Sequence, residues 1–301
     1  MAKIVVVGSY VVDLTARTPH MPKAGETVLG GPFRMGPGGK GSNQAVAAAR
    51  LGAKVTMVTK VGKDLFGEDA LRNFTKEGIE TKYISQVEEE STGAALIAVD
   101  DEGENMIVVS LGACGTITEQ EVLRAEDAFL DADMIMLQLE TSLEAVTSTI
   151  NLAKKLGKPV ILNPAPYQNI SDDLLKKVTF LTPNETEAGL LTGVEVTDET
   201  TAQEAAAILL SKGVEVVILT LGKKGCYLLK QGEEQGKLIP GHVVKAVDTT
   251  GAGDAFNGAF AHFLAEGCTI EAACVKANKA AALSVTKHGT APAMPYLTDL
   301  E

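Results

Sequence analysis

The sequence predicts an α/β body in three layers, with helices on both faces of a mostly parallel central sheet and a small β lid. Three observations carry this. Near-continuous apolar, β-branched runs recur along the chain, as in strands buried on both faces of a parallel sheet. Helical patterns separate them, and such alternation builds an α/β fold. Two stretches break the rhythm with Gly, Pro and strand-like segments.

In chain order, IVVVG (4–8) reads as the first strand. Residues 14–36 form the first break in rhythm. SNQAVAAARLGA (42–53) follows as a helix, with Ser at its start and Gly52 at its end. VTMV (55–58) is the next strand, and residues 92–111, with TGAALIAV and NMIVVS, are the second break. Strands MIMLQ (134–138), PVILN (159–163), TFLTP (179–183) and EVVILTLG (215–222) then alternate with helices over 142–157 and 201–213. The segments at about 14–36 and 92–111 are expected to pair as a β lid; such lids exclude water from reaction sites. With no repeat, low-complexity tract or long linker, residues 1–301 read as one domain.

At 301 residues and 45% hydrophobic, the chain can bury a large core without staples. Aromatics contribute 4% and Trp is absent, so that core is aliphatic and Ala-rich. A formal charge of −12 without any Lys/Arg stripe argues against nucleic acid as a partner. A local nest of backbone N–H groups can still hold an anion against that field. Cys114, Cys226, Cys268 and Cys274 lack C-x-x-C spacing and read as reduced, buried small hydrophobes of a cytoplasmic protein. The first apolar run is too short for a signal sequence, and no run of about 18 apolar residues suggests a membrane span.

The most informative segment is AVDTTGAGDAFNGAF (246–260). A helix opens here, with Ala255, Phe256, Ala259, Phe260, Phe263 and Leu264 on its apolar face. Gly251, Ala252 and Gly253 leave backbone N–H groups unobstructed at its N-terminus, a natural anion site. Asp254 stands beside them, where a base would meet a gripped phosphoryl group. A weak base suffices if the acceptor hydroxyl acidifies as it bonds to phosphorus. Taken alone, the segment reads first as a Gly-rich turn whose acid complements the helix dipole.

Gly38-Gly39-Lys40-Gly41 precedes the first helix and lets backbone approach a ligand closely. It is no P-loop, because position 34 is Arg and Gly follows Lys40. Asp13, after the first strand, and Glu140, ending MIMLQLE, lie where α/β sheets bind ligands, and a carboxylate suits a vicinal diol. Asn184 and Glu187 in PNETEA have capping-box spacing.

In these segments, and in QLE, NPAP and LTLGKKG, the sequence resembles the ribokinase family within the phosphofructokinase-B group of sugar kinases. The similarity runs from about residue 4 to 295. The resemblance implies a ribokinase-like fold and transfer of the ATP γ-phosphoryl group to the 5-hydroxyl of D-ribose. Asp254 would be the base, with Gly251, Ala252 and Gly253 forming the anion hole. Asp13, Gly38, Gly39, Lys40, Asn43 and Glu140 would bind the sugar. Asn184, Glu187, Thr220, Gly222, Gly253 and Asn278 would bind ATP with Mg²⁺, the Asn184–Glu187 pair capping its helix as well. A monovalent cation, K⁺ in the family, would lie at Asp248, Thr250, Ser284, Lys287 and Gly289. A homodimer through the β lid is also implied.

Two departures stand out. Where many ribokinases have Asn two residues before the sugar-binding Asp, this chain has Val11, which favours 2-deoxyribose as an alternative substrate. The last cation-site position, often a hydroxyl residue, is Ala293. Nucleoside and hexose kinases of the same superfamily are further alternatives, and a non-catalytic sugar-binding protein is a distant one. A dinucleotide oxidoreductase is excluded, because GSYVVD does not supply G-x-G-x-x-G after the first strand.

Overall fold

Alternate residues of the first strand enter separate cores. Ile4 and Val6 join one cluster of buried side chains, and Val5 and Val7 join the other. Each cluster holds 36 buried residues, so the sheet between them is covered equally on both faces.

The computed structural model describes residues 1–301. The chain begins with β1 (Lys3–Val7), β2 (Val11–Arg17), β3 (Phe33–Gly38) and α1 (Lys40–Arg50). Next come β4 (Lys54–Gly62), α2 (Leu65–Lys76), β5 (Glu80–Val87), β6 (Thr92–Val99) and β7 (Asn105–Gly112). Short helices α3 (Glu119–Leu123) and α4 (Glu126–Asp131) lead to β8 (Met134–Gln138), α5 (Leu143–Lys155) and β9 (Val160–Asn163). Then follow α6 (Asp172–Leu175), β10 (Phe180–Leu181), α7 (Glu185–Thr192), α8 (Glu199–Ser211) and β11 (Val216–Thr220). Strands β12 (Gly225–Lys230) and β13 (Lys237–Pro240) and helices α9 (Ala252–Ala265) and α10 (Ile270–Ser284) complete the chain.

The main sheet has the order β13-β12-β11-β10-β9-β8-β1-β4-β5. It is parallel except for β12 and β13, which close one edge antiparallel. This is the three-layer body expected from the sequence. Strands β5, β12 and β13 and helix α2 are additions to that reading, and α1 starts at Lys40 rather than near Ser42.

The second sheet has the order β3-β2-β6-β7. Leu14 pairs with Met35 and Leu96, and Leu96 with Val108, so these residues share one face. Phe33, Met35, Leu96, Met106 and Val108 are all more than half exposed there. Asp13, Thr15 and Arg34 occupy the opposite face. The four cysteines are free, and no helix is long and apolar enough to cross a membrane.

Candidate active site

The strand order reverses at β1: β4 and β5 extend one way, and β8 onward the other. Open α/β sheets bind ligands outside the strand C-termini at such a reversal. Here α1 seats its N-terminus on the end of β1, because a Cβ on Gly41 would lie 2.6 Å from the Cα of Gly8. The Glu140 carboxylate accepts from the Ser9 hydroxyl and, at 2.8 Å, from the Lys40 backbone N–H. Gly39 takes the left-handed φ of 87°, which favours glycine. A Cβ on Gly38 would run into the Asp13 carboxylate. Val11 packs beside them at 2% exposure, and a Cβ on Gly93 would approach its Cγ1 at 2.9 Å.

Asp13 Oδ2 accepts from the Thr290 hydroxyl at 3.1 Å. Burial pushes its carboxyl up to about 6; the Thr290 bond opposes this, and the charges of Glu140 and Asp254 add to it. If Asp13 grips sugar hydroxyls as a carboxylate, that grip is present above the pKa and lost as pH falls through it. KM for sugar should therefore rise about tenfold at pH 5 relative to its plateau near pH 8, as expected for one essential ionised group. A pH series of KM checks this, and Asp13→Asn should flatten it.

Helix α9 begins behind Gly251, at φ 80°, and no side chain caps it. The Ala252 N–H makes a long bond, 3.3 Å, to the Thr249 carbonyl, whereas those of Gly251 and Gly253 meet no protein acceptor. Of the expected anion hole, two donors are thus free and the Ala252 donor is shared with the turn. Asp254, one residue on, is buried. Its Oδ2 accepts from Asn43 Nδ2 and its Oδ1 from Gln44 Nε2, both at 3.0 Å. Burial raises its pKa; Lys40 and the two amides work against that, and Glu140 adds to it. Burial disfavours the Lys40 ammonium, yet the nearby charges of Asp254, Glu140 and Glu187 hold its pKa above the usual value.

Asn184 and Glu187 form the capping box at the start of α7, with bonds of 2.7 and 3.0 Å. Burial raises the pKa of Glu187, against the Asn184 N–H bond and the Lys40 charge. Thr220 bridges to Asn184, and Gly222, at φ 52°, turns the chain after β11. Asp13, Lys40, Glu140, Glu187 and Asp254 thus come together as one charged group, with Asn43 bonded to Asp254 and Asn184 and Thr220 beside it. Asn278 stands apart: it is buried on α10, and its amide donates to the carbonyls of Ile239 and Pro240.

Asp248 accepts from the N–H groups of Thr250 and Gly289, each at 3.0 Å. These bonds outweigh burial and lower its pKa. They also tie the 248–250 turn to the segment after α10. No N–H or O–H reaches the carbonyls of Asp248, Thr250, Lys287 or Gly289, while that of Ser284 accepts from the Lys287 N–H at 3.4 Å.

A family model for pfkB family carbohydrate kinases matches residues 1–297. The chain belongs to that family. It is 44% identical to the ribokinase of Haemophilus influenzae over 292 residues, 97% of this chain and 95% of that protein. It is 42% identical to the deoxyribokinase of Salmonella typhi over 295 residues, covering 98% and 96%. Among solved structures, a ribokinase of Arabidopsis thaliana complexed with ribose and ATP superimposes with a TM-score of 0.92. That match has 32% identity and covers 100% of this chain and 98% of that one.

A cavity of about 610 Å³ in this pfkB-family kinase lies between the inner face of the second sheet and segments 246–250 and 288–292. It touches Asp13, Thr250 and Thr290 but not Asp254. The Asp254 carboxylate is therefore marked by its hydrogen bonds, not by open volume. Sequence reasoning missed several polar residues around it: Ser9, Gln44, Gln138, Asn163, Thr182, Asn257 and Thr290. Gln138 and Asn163 each end an otherwise apolar strand. An amide at the carboxyl end of such a strand is the signal that could have found them.

Proposed function

We propose that this pfkB-family kinase transfers the γ-phosphoryl group of ATP to the 5-hydroxyl of D-ribose. The observation that carries the reading is the buried Asp254 carboxylate next to the free N–H groups of Gly251 and Gly253. Asp254 takes the hydroxyl proton, and those N–H groups stabilise charge developing on the phosphoryl oxygens. Asp13 and Glu140, with the backbone of Gly38–Lys40, hold the sugar. Asn184, Glu187, Thr220 and Gly222 would lie along the nucleotide, with Asn278 behind the strands there.

No three His, Cys, Asp or Glu side chains cluster in the fold as a metal centre. Mg²⁺ would accordingly arrive with ATP, its water shell facing Glu187, and would offset phosphate charge. The four carbonyls without donors, beside an ionised Asp248, suit a monovalent cation such as K⁺. Its binding would stiffen the turn before α9. The exposed apolar face of the second sheet suits a homodimer, with that sheet as lid. ATP use and four free cysteines fit the cytoplasm.

Val11 and the similarity to a deoxyribokinase support a second reading, 2-deoxyribose as a good substrate. An ATP-consumption screen over D-ribose, 2-deoxyribose, D-fructose and nucleosides separates the readings. Ribose should give the highest kcat/KM, with deoxyribose about fivefold lower, the worth of one neutral hydrogen bond of about 1 kcal/mol. A higher value for deoxyribose, or for a nucleoside, would replace ribose in this reading.

A further inference from the structure

A chain of amides continues behind Asp254. Gln44 Nε2 donates to the Asp254 carboxylate, which as an anion only accepts, so the orientation of the Gln44 amide is set. Its nitrogen faces Asp254 and its oxygen accepts from Gln138 Nε2 at 2.7 Å, while Gln138 Oε1 is buried without a partner. Gln44 Nε2 spends its second hydrogen on Asn163 Oδ1 at 3.0 Å. Asn163 in turn donates to the Thr182 carbonyl at 3.1 Å. Every hydrogen-bonding position of the Gln44 NH₂ group is filled, and all four side chains are buried.

Asn43 differs. It donates to Asp254 Oδ2, but its own Oδ1 is buried without a partner. Such an atom incurs a cost unless another group comes to meet it. Turning the amide away from Oδ2 therefore gives up one bond and frees that oxygen.

We propose that Gln44 is a positioning residue, which anchors Asp254 Oδ1 and leaves Oδ2 as the oxygen that accepts the proton of the sugar hydroxyl. Gln138 acts through Gln44 by donating to its amide oxygen and so holding the side chain in place. This deepens the reading of Asp254 as base and rests on it. The charged groups facing Asp254 are Asp13 from β2, Lys40 from α1, Glu140 after β8 and Glu187 from α7. Of these only Lys40 favours the carboxylate, so losing an amide donor leaves the ionised form less supported.

The test is the kcat–pH profile of Gln44→Glu and Gln138→Met, with sugar affinity measured calorimetrically without ATP. Gln44→Glu should lower kcat on the order of 100-fold, since a small misplacement of a catalytic group costs that much. Its acidic limb should move up by about one unit, because the donor to the charged form is lost and a like charge is added. Gln138→Met should move the limb the same way by less, and sugar affinity should stay near the parent value in both. If Gln44→Glu does not fold, Gln138→Met alone decides, an unmoved limb overturning the proposal. Asp254→Asn separates the two layers. If it is inactive while both glutamine variants keep the parent limb, the positioning role falls and the base stands. If it keeps near-native turnover, both fall.

Discussion

Asp254→Asn should lower kcat by at least about 100-fold, while sugar affinity changes far less. The substitution nearly preserves shape and removes the proton acceptor. Its new NH₂ group would face the donors of Asn43 and Gln44. Gln44 is locked by Gln138 and Asn163, but Asn43 can turn and offer its unpartnered Oδ1. The new amide therefore meets an acceptor, at the cost of the one bond that the Asn43 NH₂ group made, and the fold should persist. Single-turnover kinetics and a thermal melt together check this. Near-native turnover in a folded variant would remove Asp254 from the role of base.

Asp13→Ala should raise KM for sugar on the order of 100-fold with a much smaller change in kcat. Hydrogen bonds to a charged group contribute about 1.5–3 kcal/mol each, and a carboxylate reaches both hydroxyls of a diol. Two bonds at the lower figure give about 3 kcal/mol, and each 1.36 kcal/mol is tenfold. The Thr290 hydroxyl would redirect to the Pro37 carbonyl, already 3.1 Å away, so no buried donor is stranded. Steady-state kinetics over a wide sugar range measures the split. A rise of only about twofold would show that Asp13 supports the strand rather than the substrate.

Elements buried on both faces were legible in the sequence, because near-continuous apolar runs leave little choice. Residues 134–138 are a strand in both readings, and PVILN and EVVILTLG contain β9 and β11. The omissions lie where burial is partial or chain direction reverses. β5, ETKYISQV, is an edge strand with charged, half-exposed positions, and β12 and β13 are short antiparallel returns. In the site, residues on one continuous motif could be read. Gly251–Asp254 and Gly38–Lys40 are local, since a glycine turn and a helix start suffice to define them. Gln44, Gln138 and Asn163 come from a helix and two strands that the sheet alone brings together. No spacing in the chain encodes their meeting.

Asp13 and the bare apolar ladder lie on opposite faces of the same small sheet. Whatever covers Leu96 and Val108 therefore also steadies the backbone that aims Asp13. If a second copy is that cover, specific activity becomes a function of enzyme concentration. Dilution would then release monomers with a looser sugar grip. Reciprocity requires the converse: a sugar bound more tightly by the pair must itself tighten the pair, by the same factor.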